Sequence, residues 1–345
     1  MKDKMDDCRP LLMTMGDPNG VGPEICLHAL VKPQKHVKRP VAIVGDYKIL
    51  CEAATFLKIK KNLILVENPE CVAAAMKLGI PVLEAGITLG ESVKPGKISK
   101  KAGAASIGWV RAATQWVLEK RAAGVVTAPL CKEAVEHTVP GFQGHTEYIG
   151  EMCGDSSPVL ALVHKDWVVA HVSTHVSLRD ACERVKQERI LKVGRLLQDF
   201  LVRYKSNKNP KIGVAGLNPH AGEGGLFGDE EIREIIPAIK ALRKMKINAI
   251  GPLPGDVVFP QLRVGTFDGV IAMYHDQGHV VTKTLLFDLG KKRRTCGVNT
   301  TLGLSVVRTS VDHGTGFDIA WKGIADEHSL CDALELADLL TRDIE

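Results

Sequence analysis

Aromatic side chains are scarce in this sequence, at 5% of 345 residues, and long apolar runs are missing. No apolar stretch approaches the ~18 residues that a membrane-spanning helix requires, which argues against a helical membrane protein. Near the N-terminus residues 11–15 are apolar. They are too few for the core of a secretion signal, and Gly16-Asp17-Pro18 follows at once. The nine cysteines show no C-x-x-C spacing, so neither a zinc ribbon nor a disulfide framework is indicated. Several, such as Cys26, Cys71 and Cys153, sit among apolar neighbours and read as free thiols in a reducing compartment. Charge is nearly balanced, 45 basic against 40 acidic residues. That permits an anionic substrate without arguing for a nucleic-acid partner. G-x-G-x-x-G is absent, as are internal repeats, low-complexity tracts and any long linker. A soluble, cytoplasmic protein with no membrane partner is expected.

The length exceeds what one hydrophobic core usually fills, so two subdomains are the default. Strand-like and helix-like segments alternate from end to end, which predicts an α/β protein in two halves sharing a cleft. Residues 1–345 read as one functional unit. Strands are expected at 11–15, 41–45, 63–66, 124–130 and 305–307, and helices from Pro23, at 102–121, at 182–205 and at 329–342.

Three histidines follow short apolar runs. His175 comes after residues 167–172, His220 after 212–217, and His275 after 270–273, in Tyr274-His275-Asp276-Gln277-Gly278. In open α/β sheets ligands sit beyond the carboxyl ends of strands, where these histidines fall. A lone histidine there is as a rule a hydrogen-bonded structural residue. Three at equivalent positions point to one divalent ion, because imidazole suits zinc-like ions and three protein ligands leave a position open for substrate.

Other segments allow two readings each. The turn from Gly16 to Glu24 is either an anion cradle or a tight structural turn. His145 and Thr146 stand at a loop-to-helix junction, Thr146 as a helix cap or as a ligand residue. Asp256 is carried by a rigid Pro/Gly loop over 251–259, Lys283 follows His275 by eight residues, and Arg308 ends a strand. Asp229, Glu230 and Glu231 are expected to be solvated helix-terminal acids. The basic run Lys291-Lys292-Arg293-Arg294 reads as a solvated loop rather than a nucleic-acid contact.

Taken together, the motifs resemble the 4-hydroxythreonine-4-phosphate dehydrogenase family of vitamin B6 synthesis over nearly the whole chain. They include Gly16-Asp-Pro-Asn-Gly-Val-Gly-Pro-Glu24, Gly144-His-Thr-Glu147, Thr174-His175, Leu178-Arg-Asp180 and Gly251-Pro-Leu-Pro254. Gly216-Leu-Asn-Pro-His-Ala-Gly-Glu-Gly-Gly225, Ala272-Met-Tyr-His-Asp-Gln-Gly278, Gly297-Val-Asn299 and Arg308-Thr-Ser-Val-Asp-His-Gly-Thr315 complete the set. The resemblance implies an isocitrate/isopropylmalate dehydrogenase-like fold of two α/β/α subdomains, in a homodimer whose active sites lie between subunits. It implies metal ligands His175 and His220 from one subunit and His275 from its partner, with one divalent ion (Zn, Mg, Co or Mn) per site. His145 and Thr146 would hold substrate, with Lys283, Asn299 and Arg308 around the phosphate and the reacting carbons. NAD or NADP would be the cofactor, its binding residues unassigned.

The reaction so implied oxidises 4-(phosphooxy)-L-threonine to 2-amino-3-oxo-4-phosphooxybutanoate, which loses CO₂ to give 3-amino-2-oxopropyl phosphate. Asp256, Asp276 and Lys283 all remain candidates for the base. Three features depart from the family pattern: a longer stretch between Lys283 and Asn299, His279 in place of a commoner apolar residue, and residues 317–326. The last two are similar to a sister branch that oxidises 4-phospho-D-threonate or 4-phospho-D-erythronate. A further branch acts on aromatic cis-dihydrodiol dicarboxylates.

Overall fold

The computed structural model describes residues 8–32, 35–155, 157–165, 167–288, 294–295 and 297–342. The basic run at 291–294 thus falls outside the described residues, apart from the backbone of Arg294. Fourteen strands are present among the described residues. In chain order they are β1 Leu11–Thr14, β2 Val41–Val44, β3 Leu63–Val66, β4 Ile80–Leu83, β5 Gly124–Thr127, β6 Val159–His164 and β7 Trp167–His171. Then come β8 Ile212–Ala215, β9 Ala249–Leu253, β10 Gly269–Ala272, β11 Phe287–Asp288, β12 Arg294–Thr295, β13 Val298–Leu302 and β14 Val307–Val311. All but the β11–β12 ribbon join one twelve-stranded sheet in the order β3-β4-β2-β1-β5-β14-β13-β6-β7-β10-β8-β9.

The sheet changes direction at its middle. Six strands from β3 to β14 run parallel, β13 and β6 are each antiparallel to both neighbours, and β7, β10, β8 and β9 run parallel again. Parallel strands are covered on both faces and therefore read as unbroken apolar runs. β1 shows this in Leu11, Leu12 and Met13, all fully buried, each contributing roughly 1.5–3 kcal/mol relative to exposure.

Helices pack on both faces. The helix Lys100–Leu118 starts where the Ser99 hydroxyl accepts from the Ala102 N–H. Its Gly103 leaves no room for a side chain, since a Cβ there would come within 2.2 Å of the Ala134 carbonyl oxygen. The helix expected at 182–205 is two helices, Leu178–Arg184 and Gln187–Lys205, parted at Val185 and Lys186, where the non-helical backbone, extended at Lys186, breaks the turn. Likewise the expected loop at 251–259 is the end of β9 followed by the helix Gly255–Arg263. A proline at the residue before Gly255 does not prevent that start, because the first helical turn needs no N–H partner from it. Arg308 does not end a strand but sits inside β14. No helix among the described residues is long and apolar enough to cross a membrane.

Candidate active site

β7, β10 and β8 are neighbours running the same way, so the segments leaving their carboxyl ends stand side by side, at about 5 Å per strand. Those segments carry His175, His275 and His220. The rings of His175 and His275 have centroids 5.7 Å apart within the one chain. Each turns its Nδ1 toward a carboxylate: His175 to Glu147 Oε1 at 3.5 Å, His275 to Asp276 Oδ1 at 2.6 Å. A carboxylate in that place keeps the ring proton on Nδ1 and leaves the Nε2 lone pair for a ligand, the pattern of metal-binding histidines. Burial works to raise the Glu147 carboxyl, but His175, the local backbone and Lys132 together hold it below its ordinary value.

His220 stands apart. It begins a left-handed turn in which five successive residues, ending at Gly224, have φ between 43° and 81°. Three of the five are not glycine, and each such residue costs about 1–2 kcal/mol. Glu231 holds the turn. Its carboxylate, 2% exposed, accepts from the N–H groups of Leu217 and Asn218 at 2.7 and 2.8 Å and from the Asn218 amide at 2.9 Å. The expectation that all three acids at 229–231 are solvated is therefore corrected for Glu231. Its charge answers backbone donors that the turn leaves without partners, which a reading of helix ends cannot reveal. Gln277 ties the neighbouring segments together, donating to the Gly216 carbonyl and accepting the Met273 N–H, both at 2.7 Å. His220 lines a depression with Asp256, Tyr274 and Asp276.

A separate cavity of about 300 Å³ lies over β6, β13 and β14, where the sheet reverses. His175, His275, Lys283, His145, Thr146, Asn299 and Arg308 all line it. Of the expected site residues, Asp256, Asp276 and His220 alone lie in the other depression. Arg308, 3% exposed, is the cavity's dominant charge. Its Nη1 donates to Thr146, Asn299 and Thr301 at 3.3–3.4 Å and its Nη2 to Thr127 at 2.9 Å. Every one of these partners is neutral, and Nε has no partner among the described residues. Burial pushes the guanidinium down to about 10, with Glu147 opposing. A buried cation hydrogen-bonded to neutral oxygens alone has no counter-charge in contact, Glu147 acting only from farther away.

Thr146 is not a helix cap. The helix His145–Met152 begins at Gly144 with no side-chain cap, while the Thr146 hydroxyl meets Thr301 and Arg308 instead. His145 has no partner for Nε2 among the described residues, and burial, then Arg308 and Lys132, holds its ring well below the ordinary value and hence neutral. The turn from Gly16 to Glu24 resolves as structural. The N–H groups of Asp17, Asn19, Gly20 and Val21 are all engaged within the protein, and the Glu24 carboxylate accepts from Trp321 and Gly323.

A model described as "Pyridoxal phosphate biosynthetic protein PdxA" matches residues 36–337. The chain belongs to the PdxA family. It is 39% identical over 342 residues to a D-threonate 4-phosphate dehydrogenase of Cupriavidus necator, covering 98% of this chain and 99% of the relative. To a 4-hydroxythreonine-4-phosphate dehydrogenase of Beijerinckia indica it is 40% identical over 328 residues, covering 95% and 94%. The crystal structure of 4-hydroxythreonine-4-phosphate dehydrogenase from Klebsiella pneumoniae superposes with a TM-score of 0.81 at 36% identity, covering 97% of this chain and 100% of that one. This PdxA chain is thus a dehydrogenase, an oxidoreductase. Its α/β fold is of the isocitrate/isopropylmalate dehydrogenase type. A β-decarboxylating dehydrogenase of Thermococcus kodakarensis shares that fold alone, at a TM-score of 0.50, 10% identity, and coverage of 94% and 81%.

Several PdxA residues at the site were given no site role in the sequence reading, although Glu147 and Asp312 fall within its motifs. Asp312 lines the cavity 3.9 Å from Lys283, and burial pushes its carboxyl up to about 6. His171, Glu147, Lys132 and Glu231 were missed too. Glu147 lies beside His145 in sequence and could have been found as a charged neighbour; His171, inside an apolar strand, could not.

Proposed function

We propose that this chain is a nicotinamide- and divalent-metal-dependent dehydrogenase that oxidises the 3-hydroxyl of a four-carbon acid bearing a 4-phosphate. Loss of CO₂ from the resulting β-keto acid follows, because the ketone can take up the electrons of the breaking bond. The observation that carries this reading is Arg308, a buried guanidinium with neutral partners only, at the wall of a cavity. A phosphate supplies the missing counter-charge, and Arg can grip it with two parallel hydrogen bonds.

The donor set also fits a divalent ion. His175 and His275 stand with ring centroids 5.7 Å apart and carboxylates at Nδ1, and His220 would be the third ligand. When bound, the ion lowers the pKa of the substrate hydroxyl, and the nicotinamide takes hydride from the same carbon. This chain's residues do the rest. Asn299 and Thr146 orient Arg308, and neutral His145 offers its Nε2 to the substrate. Lys283, after giving up its own ammonium proton, takes the hydroxyl proton, since it stands in the cavity while Asp256 and Asp276 line the neighbouring depression.

Among substrates of this class, we favour D-threonate 4-phosphate, with 4-(phosphooxy)-L-threonine as the alternative. The two differ at C2, hydroxyl against ammonium. Three cations (Lys132, Lys283, Arg308) face two carboxylates (Glu147, Asp312) in the cavity wall, which suits the acid with the greater negative charge. A panel of both acids with NAD and NADP, after chelation and with Zn, Mg, Co or Mn restored, tests the reading. Growth of reduced-nicotinamide absorbance with release of CO₂ is expected. No absorbance change with any phosphorylated hydroxy acid would overturn it.

We further propose a homodimer with shared sites. Each histidine segment carries an exposed apolar side chain, Leu178, Leu226 and Val280 at 63%, 73% and 60% exposure, as surfaces buried in an assembly do. In the shared arrangement His175 and His220 serve one site with His275 of the other chain. Mixing inactive His175→Ala and His275→Ala proteins would then restore up to about a quarter of native activity, because one of two sites in a mixed dimer is intact. No recovery would place all three ligands in one chain.

A further inference from the structure

His275 opens the helix His275–Leu286, and His279 follows one turn later on the same face. The two rings are stacked, with centroids 3.7 Å apart and planes 9° from parallel. A third ring, that of fully buried His171 at the end of β7, packs 4.7 Å from His279. Gly278 makes that approach possible, since a Cβ there would lie 2.3 Å from His171 Nε2.

The hydrogen bonds fix the tautomers. His279 Nδ1 is 3.1 Å from the His275 carbonyl oxygen, and His171 Nδ1 is 3.3 Å from that of Leu160. A carbonyl only accepts, so both rings carry their proton on Nδ1. Asp276 imposes the same state on His275.

We propose that His279, backed by His171, is a positioning residue that fixes the plane of the His275 ring, so that its Nε2 is offered to a metal ion in one orientation. The inference rests on the reading of His275 as a ligand. A histidine free to rotate loses that freedom on binding; one clamped between a stacked ring and a carboxylate has lost it already, which raises affinity for the ion. His279 thus has a reason to be an aromatic ring rather than a branched aliphatic side chain.

Cobalt(II) binding to the full-length protein, read by its visible absorption and by competition with a chromogenic chelator, tests this. His279→Leu is expected to weaken Co²⁺ binding about 10- to 100-fold, whereas His279→Phe, which keeps a flat ring on His275, stays nearer to native. A role in packing alone would lower thermal stability and leave the Co²⁺ affinity of the folded protein unchanged. A Leu variant within about threefold of native, or a Phe variant as weak as the Leu variant, overturns the proposal. If the Leu variant does not fold, His279→Gln takes its place under the same thresholds. His275→Ala separates the two layers of argument. If it binds Co²⁺ like native, the ligand reading itself fails; if it loses binding while the His279 variants keep it, the positioning role alone fails.

Discussion

Lys283 Nζ and Asp312 Oδ1 face each other across 3.9 Å at the cavity wall, the amine 43% exposed and the carboxylate 7%. The carboxylate is thereby fixed in the wall while the amine can reach a substrate from one side. Lys283→Met should lower kcat about 10²- to 10⁴-fold, the range for loss of a general base. Reduced-nicotinamide formation under saturating substrate measures it. A kcat within tenfold of native would pass the role of base to Asp256 or Asp276.

Asp312 also predicts a dependence of stability on pH. Burial pushes its folded pKa up to about 6, against about 3.9 in an unfolded chain. A raised pKa means that the folded state holds the proton more tightly. The contribution is therefore complete below pH ~4 and is lost as pH rises through ~6, amounting to about 3 kcal/mol at most. Asp312→Asn cannot titrate, so its melting temperature relative to native should rise between pH 4 and pH 7. Melting curves at those two pH values decide it; a constant difference would show that the carboxyl is not perturbed.

For Arg308 the conservative change is the informative one. Arg308→Lys keeps the charge but loses the fork that reaches Thr127 and Asn299 together. A charge-assisted hydrogen bond is worth about 1.5–3 kcal/mol, so KM for the phosphorylated acid should rise about 10- to 100-fold. The same acid without its phosphate should be turned over equally poorly by both proteins. An unchanged KM would place the phosphate elsewhere.

Glu231 and Asp229 make a matched pair. Glu231→Ala leaves the half-buried N–H groups of Leu217 and Asn218 without an acceptor, a cost on the order of 3 kcal/mol for the two. Denaturant titration should show that loss, together with weaker metal binding through a loosened His220. Asp229→Ala breaks only an exposed ion pair with Arg233 and should stay within about 0.5 kcal/mol of native. Equal effects from the two would refute the clamp.

The expected residues that proved to share the cavity were those whose environment is written locally. His175 and His275 each follow a run of apolar residues, and the strand that precedes each is what sets them at the sheet's edge. Errors arose where a neighbour distant in the chain decided the outcome. Glu231 is buried because a loop more than ten residues earlier needs its oxygens. Thr146, which the sequence left open between a helix cap and a ligand residue, faces Arg308, 162 positions away.

Alternating apolar and polar segments were enough to determine an α/β protein, and the chemistry of its site was visible as histidines beyond strand ends, together with a lysine and an arginine. Periodicity and residue type act over a few positions, and a single chain displays them directly. Only the folded sheet decided that β13 and β6 reverse its direction beneath the cavity, that Arg308 is buried among neutral hydrogen-bond partners, and that His279 stacks on His275 with His171 behind it. Those relations depend on which strands become neighbours, and strand order is set by the packing of the whole core.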